Sequence, residues 1–285
     1  MRNVEIQYSI FDPTGNITAL VESEVETGLQ PSVAAEIMKR RPEVEQVGFV
    51  RFAPGGEGPS LRMAGGEFCG NAAMSAAALY LLRRQGREDA PSPLDKEETV
   101  CLRVSGAARP VEVRLWAEAP DCFRAGVHMP PALGIDDREF TYGALSGELP
   151  VVRMEGICHI VVEPDSVFWG LLSDRTAAER AVRDWCAALS ADGLGLMFLD
   201  GNTPQRHLTP LVYVPGSGTV FWESSCASGS TAVGMYLAAK TGVPVDLSLQ
   251  EPGGILRVES DPKRGETWLY GRTRLVEQCR LILNM

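Results

Sequence analysis

Apolar and polar residues alternate with a period of two from Val4 to Phe11 and again from Ile17 to Glu22, on either side of the turn Asp12-Pro13-Thr14-Gly15-Asn16. That pattern predicts a hairpin-like pair of strands. Ser32 is placed to cap a short helix, Val33 to Arg40, that Pro42 stops. Strand patterning returns at Val44 to Phe52 and Ser60 to Met63. The period then changes at GGEFCGNAAMSAAALYLL, Gly65 to Leu82, where a cysteine, a glycine and an asparagine lead into an alanine-rich helix. Gln85 to Glu97 is polar and contains proline, an exposed loop, and Cys101 to Val104 and Val111 to Trp116 are strands.

Phe123 to Met129 resumes strand patterning, and Pro130 to Pro150 reads as loop. Val151 to Val162 is a strand region holding Cys158 and His159. Thr176 and Glu179 have capping-box spacing, so a helix is expected from there to about Leu189, ended by Gly193. Leu196 to Leu199, Leu211 to Val214 and Thr219 to Trp222 are strands ahead of a second cysteine motif, ESSCASGSTAVGMYL, whose helix stops at Gly242 and Pro244. Ile255 to Val258, Trp268 to Tyr270 and Arg280 to Leu283 are the last strands.

The two cysteine motifs share their pattern. Counted from each cysteine, Asn71 and Ser228 take the second place, Ala76 and Val233 the seventh, Leu79 and Tyr236 the tenth. Cys69 and Cys226 are 157 residues apart (226 minus 69) in a chain of 285. Each half therefore reads strands, helix, strands, cysteine, helix, strands, which predicts an internal duplication with sheet wrapped around each apolar helix. The class is α+β.

Composition narrows the chemistry. A formal charge of −10 gives no general attraction to nucleic acid or an anionic membrane surface. The longest apolar stretch, Ala72 to Leu82, is too short to span a bilayer, and the N-terminus has no signal-peptide core, so a cytoplasmic location is expected. Seven cysteines without a CxxC pair argue against a structural zinc site or a disulfide framework. Cys101, Cys122, Cys186 and Cys279 read as small buried hydrophobes, and Cys158 as packing.

Cys69 and Cys226 each sit at a helix start, where unpaired N–H groups and the peptide dipoles favour an anion. On that basis each thiol is expected below its ordinary pKa, as a base poised near neutrality. If the halves face each other, the two cysteines share one cleft and one proton. A substrate carboxylate would lie on the N–H groups of Gly70, Asn71, Ala227 and Ser228. Removal of an α-proton by a thiolate and delivery of another by a thiol, with no cofactor and no metal, is amino-acid racemisation.

GEFCGNAA and ESSCASGSTA resemble the paired cysteine motifs of the diaminopimelate epimerase superfamily, which also contains proline racemases and a histidine racemase. FDPTGNITALV resembles that family's N-terminal hairpin with its substrate-binding Asn, here Asn16, and GICHIVVE stands where the family has a Gly-Asn-Pro-His strand. The resemblance implies two pseudo-symmetric domains, each a mostly antiparallel barrel-like sheet around a central helix, residues 1–120 plus 272–285 and residues 121–271. It implies Cys69 and Cys226 as the catalytic pair. Met63, Ile157 and Pro215-Gly216-Ser217 replace the family's groups for the distal end of diaminopimelate, and Asn71 replaces the His of proline racemases. GGEFCGN resembles most the histidine racemase branch, which belongs with opine-type metallophore pathways.

Glu67 and Glu223 are candidates for holding the substrate ammonium, with solvated turn residues as the plainer reading. His159 reads first as a packed strand histidine. Diaminopimelate epimerase or another amino-acid racemase remains an alternative, and so does a thiol redox or small-molecule binding protein in which Cys69 and Cys226 form a reversible disulfide. The expected partner is a small amino acid, with no nucleic acid and no membrane; a homodimer is left open.

Overall fold

The structure is a computed structural model describing residues 3–52, 58–85, 97–201 and 205–284. The chain divides into two compact units, Met1–Val127 with Tyr270–Met285, and His128–Leu269. Both are mixed α+β, and among the described residues there are four α-helices, none long and apolar enough to cross a membrane.

In the first unit, β1 (Asn3–Asp12) and β2 (Thr18–Val21) form the expected hairpin, with Tyr8 opposite Val21. Thr14 and Gly15 take left-handed backbone in its turn, φ 56° and 88°, and the Asp12 carboxylate accepts the Gly15 N–H at 2.6 Å. Helix α1 (Gln30–Arg40) then carries the chain to β3 (Gln46–Arg51), parallel to β2. Ser32 does not cap this helix. Leu29 holds the cap position, and Pro31 in the first turn starts the helix because its missing N–H has no partner to lose there. Val33, Ala34 and Ile37 pack on Ile6, Ala19 and Val47.

Strand β4 (Ser60–Met63) runs antiparallel to β3, and α2 (Gly70–Gln85) leads to β5 (Glu97–Val104), parallel to β4. Gln85 is thus helix and Glu97 strand; residues 86–96 of the expected loop lie outside the described residues. β6 (Val111–Ala119) and β7 (Cys122–His128) follow antiparallel. The three separate segments expected at the chain's end are fewer and longer: Trp268–Tyr270 and Arg280–Leu283 belong to one strand, β16 (Glu266–Asn284). From Tyr270 onward it lies beside β7 and pairs with β1, Val4 opposite Leu283. Cys101 is exposed rather than buried because β5 alternates, with Val100, Leu102 and Val104 taking the inner face. Cys122 and Cys279 are partly exposed; only Cys186 is buried as expected.

In the second unit the stretch Pro130 to Pro150 is a hairpin instead of a loop, β8 (Gly134–Tyr142) with β9 (Leu145–Met154). β8 is the terminal strand, and charges such as Asp137, Arg138 and Glu139 suit an edge that must not pair further, which disguises it as loop. Gly156, φ 76°, divides the expected strand Val151 to Val162 into the end of β9 and β10 (Ile157–Val162). Asp174, not Thr176, caps α3 (Arg175–Leu189), accepting the Ala177 N–H at 3.0 Å, while Glu179 accepts the indole N–H of Trp222. The helix ends at Ser190 in the left-handed region, φ 51°, ahead of Gly193.

β11 (Leu194–Asp200) returns parallel to β10, and β12 (Gln205–Val214) and β13 (Thr219–Trp222) follow antiparallel. Helix α4 (Ala227–Thr241) ends at Gly242, φ 72°, and leads to β14 (Val245–Glu251), parallel to β12, then to β15 (Gly254–Asp261). The order of pairings in the first unit is repeated here: a parallel return through one helix, an antiparallel strand, and a parallel return through the helix that follows a cysteine. α4 packs against β9, β10, β11, β14 and β15, and Ala227 to Met235 are buried on every side.

Candidate functional site

In the first unit, Cys69 directly precedes α2. Its sulfur accepts the Ala72 N–H at 3.3 Å, its thiol donates to Gln46 Oε1 at 2.8 Å, and its carbonyl accepts the Ala73 N–H. Gly70 and Asn71 are the buried first turn of the helix. Asn16 is fully buried and donates its amide to Glu45 Oε2 at 2.7 Å. Glu45 immediately precedes β3 and Gln46 is its first residue, so Asn16 and Cys69 each bond to the start of that strand. The Asn16 side-chain oxygen is buried with no hydrogen-bond partner among the described residues.

Glu67 is held by its carbonyl, which accepts from Ser105 Oγ at 2.9 Å. Burial pushes its carboxyl up, against backbone N–H groups of Glu67 and Gly65 and the Arg62 charge, and its Oε2 is buried without a partner among the described residues.

In the second unit, Cys226 is the N-cap of α4, and its sulfur accepts the Gly229 N–H at 3.4 Å with Ser228 Oγ at 3.6 Å. Its own N–H donates to Glu251 Oε2 at 2.7 Å, and Ser230 Oγ donates to the other oxygen of that carboxylate. Ala227 and Ser228 are buried. The expectation of a lowered thiol pKa fails at Cys226. Burial pushes this thiol well up, the charge and hydrogen bond of Glu223 and the charge of Glu251 add to that, and only Ser228 opposes. The few tenths to two kcal/mol that a helix start offers an anion, about 0.3–2, do not offset such desolvation beside two carboxylates.

Glu251 is itself pushed up to about 8 by burial, with its bonds to Ser230 and to the Cys226 N–H working the other way. No motif pointed to it, yet a signal existed: Leu247, Leu249 and Glu251 share the inner face of β14 by alternation, which puts a carboxylate where apolar residues precede it. Gln46 gave no comparable signal.

His159 is fully buried with neither ring nitrogen bonded among the described residues, and burial holds its pKa down to about 3. A side chain on Gly195 would meet His159 Nδ1 at 2.4 Å and Met197 Cε at 2.6 Å, and one on Gly229 would meet Met197 Sδ at 2.1 Å and Cys226 Sγ at 3.1 Å. The two glycines therefore make room for Met197, which fills the space from His159 to the cysteine. His128 stacks on Trp268 with ring centroids 4.9 Å apart. No cluster of three or more metal-ligating side chains occurs among the described residues.

The family model described as "Histidine racemase CntK N-terminal domain" matches residues 5–270. A histidine racemase of Staphylococcus aureus is 28% identical over 264 residues, covering 91% of this chain and 90% of that protein. One of Fusobacterium nucleatum is 29% identical over 280 residues, covering 95% and 94%. Among solved structures, a probable proline racemase of Agrobacterium radiobacter superposes with a TM-score of 0.72 at 13% identity, covering 98% of this chain and 93% of that one. A hydroxyproline epimerase of Agrobacterium vitis gives 0.70 at 13%, covering 99% and 93%. At such identity the structures speak for the fold, while the family match spans nearly the whole sequence. The chain belongs to the histidine racemase family that this model describes.

Proposed function

We propose that the protein is a cofactor-independent histidine racemase, an isomerase in which Cys69 and Cys226 are the acid and base. The observation that carries this reading is the repetition of one local arrangement: a cysteine ahead of a buried helix, its sulfur accepting the N–H three residues on, Ala72 in one unit and Gly229 in the other. One thiolate takes the α-proton, the carboxylate of the resulting carbanion is stabilised by first-turn N–H groups of Gly70, Asn71, Ala227 and Ser228, and the other thiol delivers a proton to the opposite face. The orphaned oxygens of Asn16 and Glu67 suit the substrate ammonium, and Glu223 is its candidate in the second unit. The pairing of β1 with both β2 and β16, and of β16 with β7, supports a barrel-like closure of the first sheet around α2. We read the location as cytoplasmic.

Proton NMR of the reduced protein with L-histidine in D2O tests the reading. Loss of the α-proton signal is expected, and Cys69→Ser and Cys226→Ser should each abolish racemisation. Absence of exchange with histidine, or exchange that survives both substitutions, would overturn it.

A further inference from the structure

The two cysteine sites are not equivalent, and the difference is a carboxylate. Glu251 is 2% exposed at the end of β14, accepting the Cys226 N–H through one oxygen and the Ser230 hydroxyl through the other. It therefore holds the residue that carries the thiol and the first turn of the helix behind it. In the first unit the strand after the cysteine helix, β5, ends on the buried Val104, and the next residue, Ser105, donates to the Glu67 carbonyl and accepts the Met63 N–H. No carboxylate stands at that place.

We infer that Glu251 is a positioning residue for Cys226, fixing the backbone from which the thiol projects and, once it is ionised itself, setting its charge against loss of the thiol's proton. The inference rests on the two-thiol reading above. A buried charge beside an ionising thiol opposes the thiolate. α4 turns Cys226 and Ser230 towards Glu251, and the loop ahead of α4 supplies Glu223, which raises both the carboxyl and the thiol. β15 sets Gly254 opposite it, and β12 contributes the exposed His207 opposite the neighbouring Gln250. Because the Glu251 carboxyl ionises at about 8 and Cys226 only well above its ordinary value, the thiol always titrates next to an anion.

Glu251→Gln keeps the shape and an acceptor for the Cys226 N–H while removing the charge. The test is site-resolved iodoacetamide labelling of Cys226 by mass spectrometry, from about pH 6 to about 10, where rate follows thiolate fraction. The Gln variant should label with its midpoint moved to lower pH, about tenfold faster at a fixed pH on the rising limb for each unit moved. A profile coinciding with that of the parent protein overturns the inference. Should Glu251→Gln not fold, Glu251→Asp withdraws the carboxylate by one methylene and should move the midpoint the same way by less; a folded Asp variant with the parent profile also overturns it. Labelling needs no substrate, so it decides the role of Glu251 even if histidine is not exchanged. Exchange with unshifted labelling would remove Glu251 alone and leave the racemase reading standing.

Discussion

Cys69 gives its thiol hydrogen to the side-chain oxygen of Gln46 across 2.8 Å. An acceptor on the thiol favours the protonated form, so Gln46→Met, which keeps length and removes the acceptor, should make Cys69 more acidic. A hydrogen bond worth about 0.5–1.5 kcal/mol corresponds to roughly twofold to tenfold faster labelling of Cys69 at neutral pH. Peptide-resolved alkylation kinetics check this; an unchanged Cys69 would mean that the contact does not bias its ionisation, and a slower one that Gln46 donates to the sulfur instead.

Asn16 donates its amide to Glu45 and leaves its oxygen buried without a partner among the described residues. Ala removes that acceptor, whereas Asp keeps it but sets a second carboxylate against Glu45 in place of the donated N–H. Asn16→Ala should weaken histidine binding by about tenfold or more, a charge-assisted hydrogen bond being worth about 1.5–3 kcal/mol, and Asn16→Asp should approach the parent only with Glu45→Gln beside it. Calorimetric titration of both variants decides it, and equal affinities for Ala and parent would remove Asn16 from the site.

Gly229 and Gly234 lie on the same helix but meet different neighbours. A methyl group on Gly234 would stand 2.4 Å from Val258 Cγ1, a stiff β-branched side chain, so Gly234→Ala should cost about 1–3 kcal/mol of stability. A methyl on Gly229 meets flexible Met197 and presses on the Cys226 sulfur at 3.1 Å, so Gly229→Ala should lose activity out of proportion to stability. Urea midpoints beside exchange rates separate the two effects.

His159 makes acid stability a specific test. Its folded pKa, about 3, lies below its ordinary value of 6.5, so the unfolded chain binds the proton first. Above about pH 6.5 no proton-linked cost arises, and stability falls as pH drops from there towards 3, by on the order of 5 kcal/mol when complete. His159→Leu should remove that part of the slope and raise the urea midpoint at pH 5 more than at pH 7.5. An equal change at both pH values would mean that His159 is already charged or solvated.

The cysteine motifs and the doubled order of elements were readable because helix and strand periods differ sharply on either side of Cys69 and Cys226. The hairpin of β8 and β9 was not, since an edge strand carrying Asp137, Arg138 and Glu139 shows the polarity of a loop. The helix caps went astray for a smaller reason: Ser32 and Thr176 fit the capping preference, but Pro31 and Asp174 sit nearer the true starts. Local pattern at Cys226 predicted an acidic thiol, because the burial of that residue and the approach of Glu251 from twenty-five positions away are properties of the packed unit. Periodicity reports which face a side chain takes, and it is silent on what waits there.

The second unit is one unbroken run, His128 to Leu269, whereas the first needs Tyr270–Met285 to complete its sheet. As the chain leaves the ribosome, β1 and β7 must wait with open edges while the whole second unit is made. The later-synthesised unit is therefore the one free to fold as soon as it emerges, and the earlier one stays exposed to mispairing until its last strand arrives.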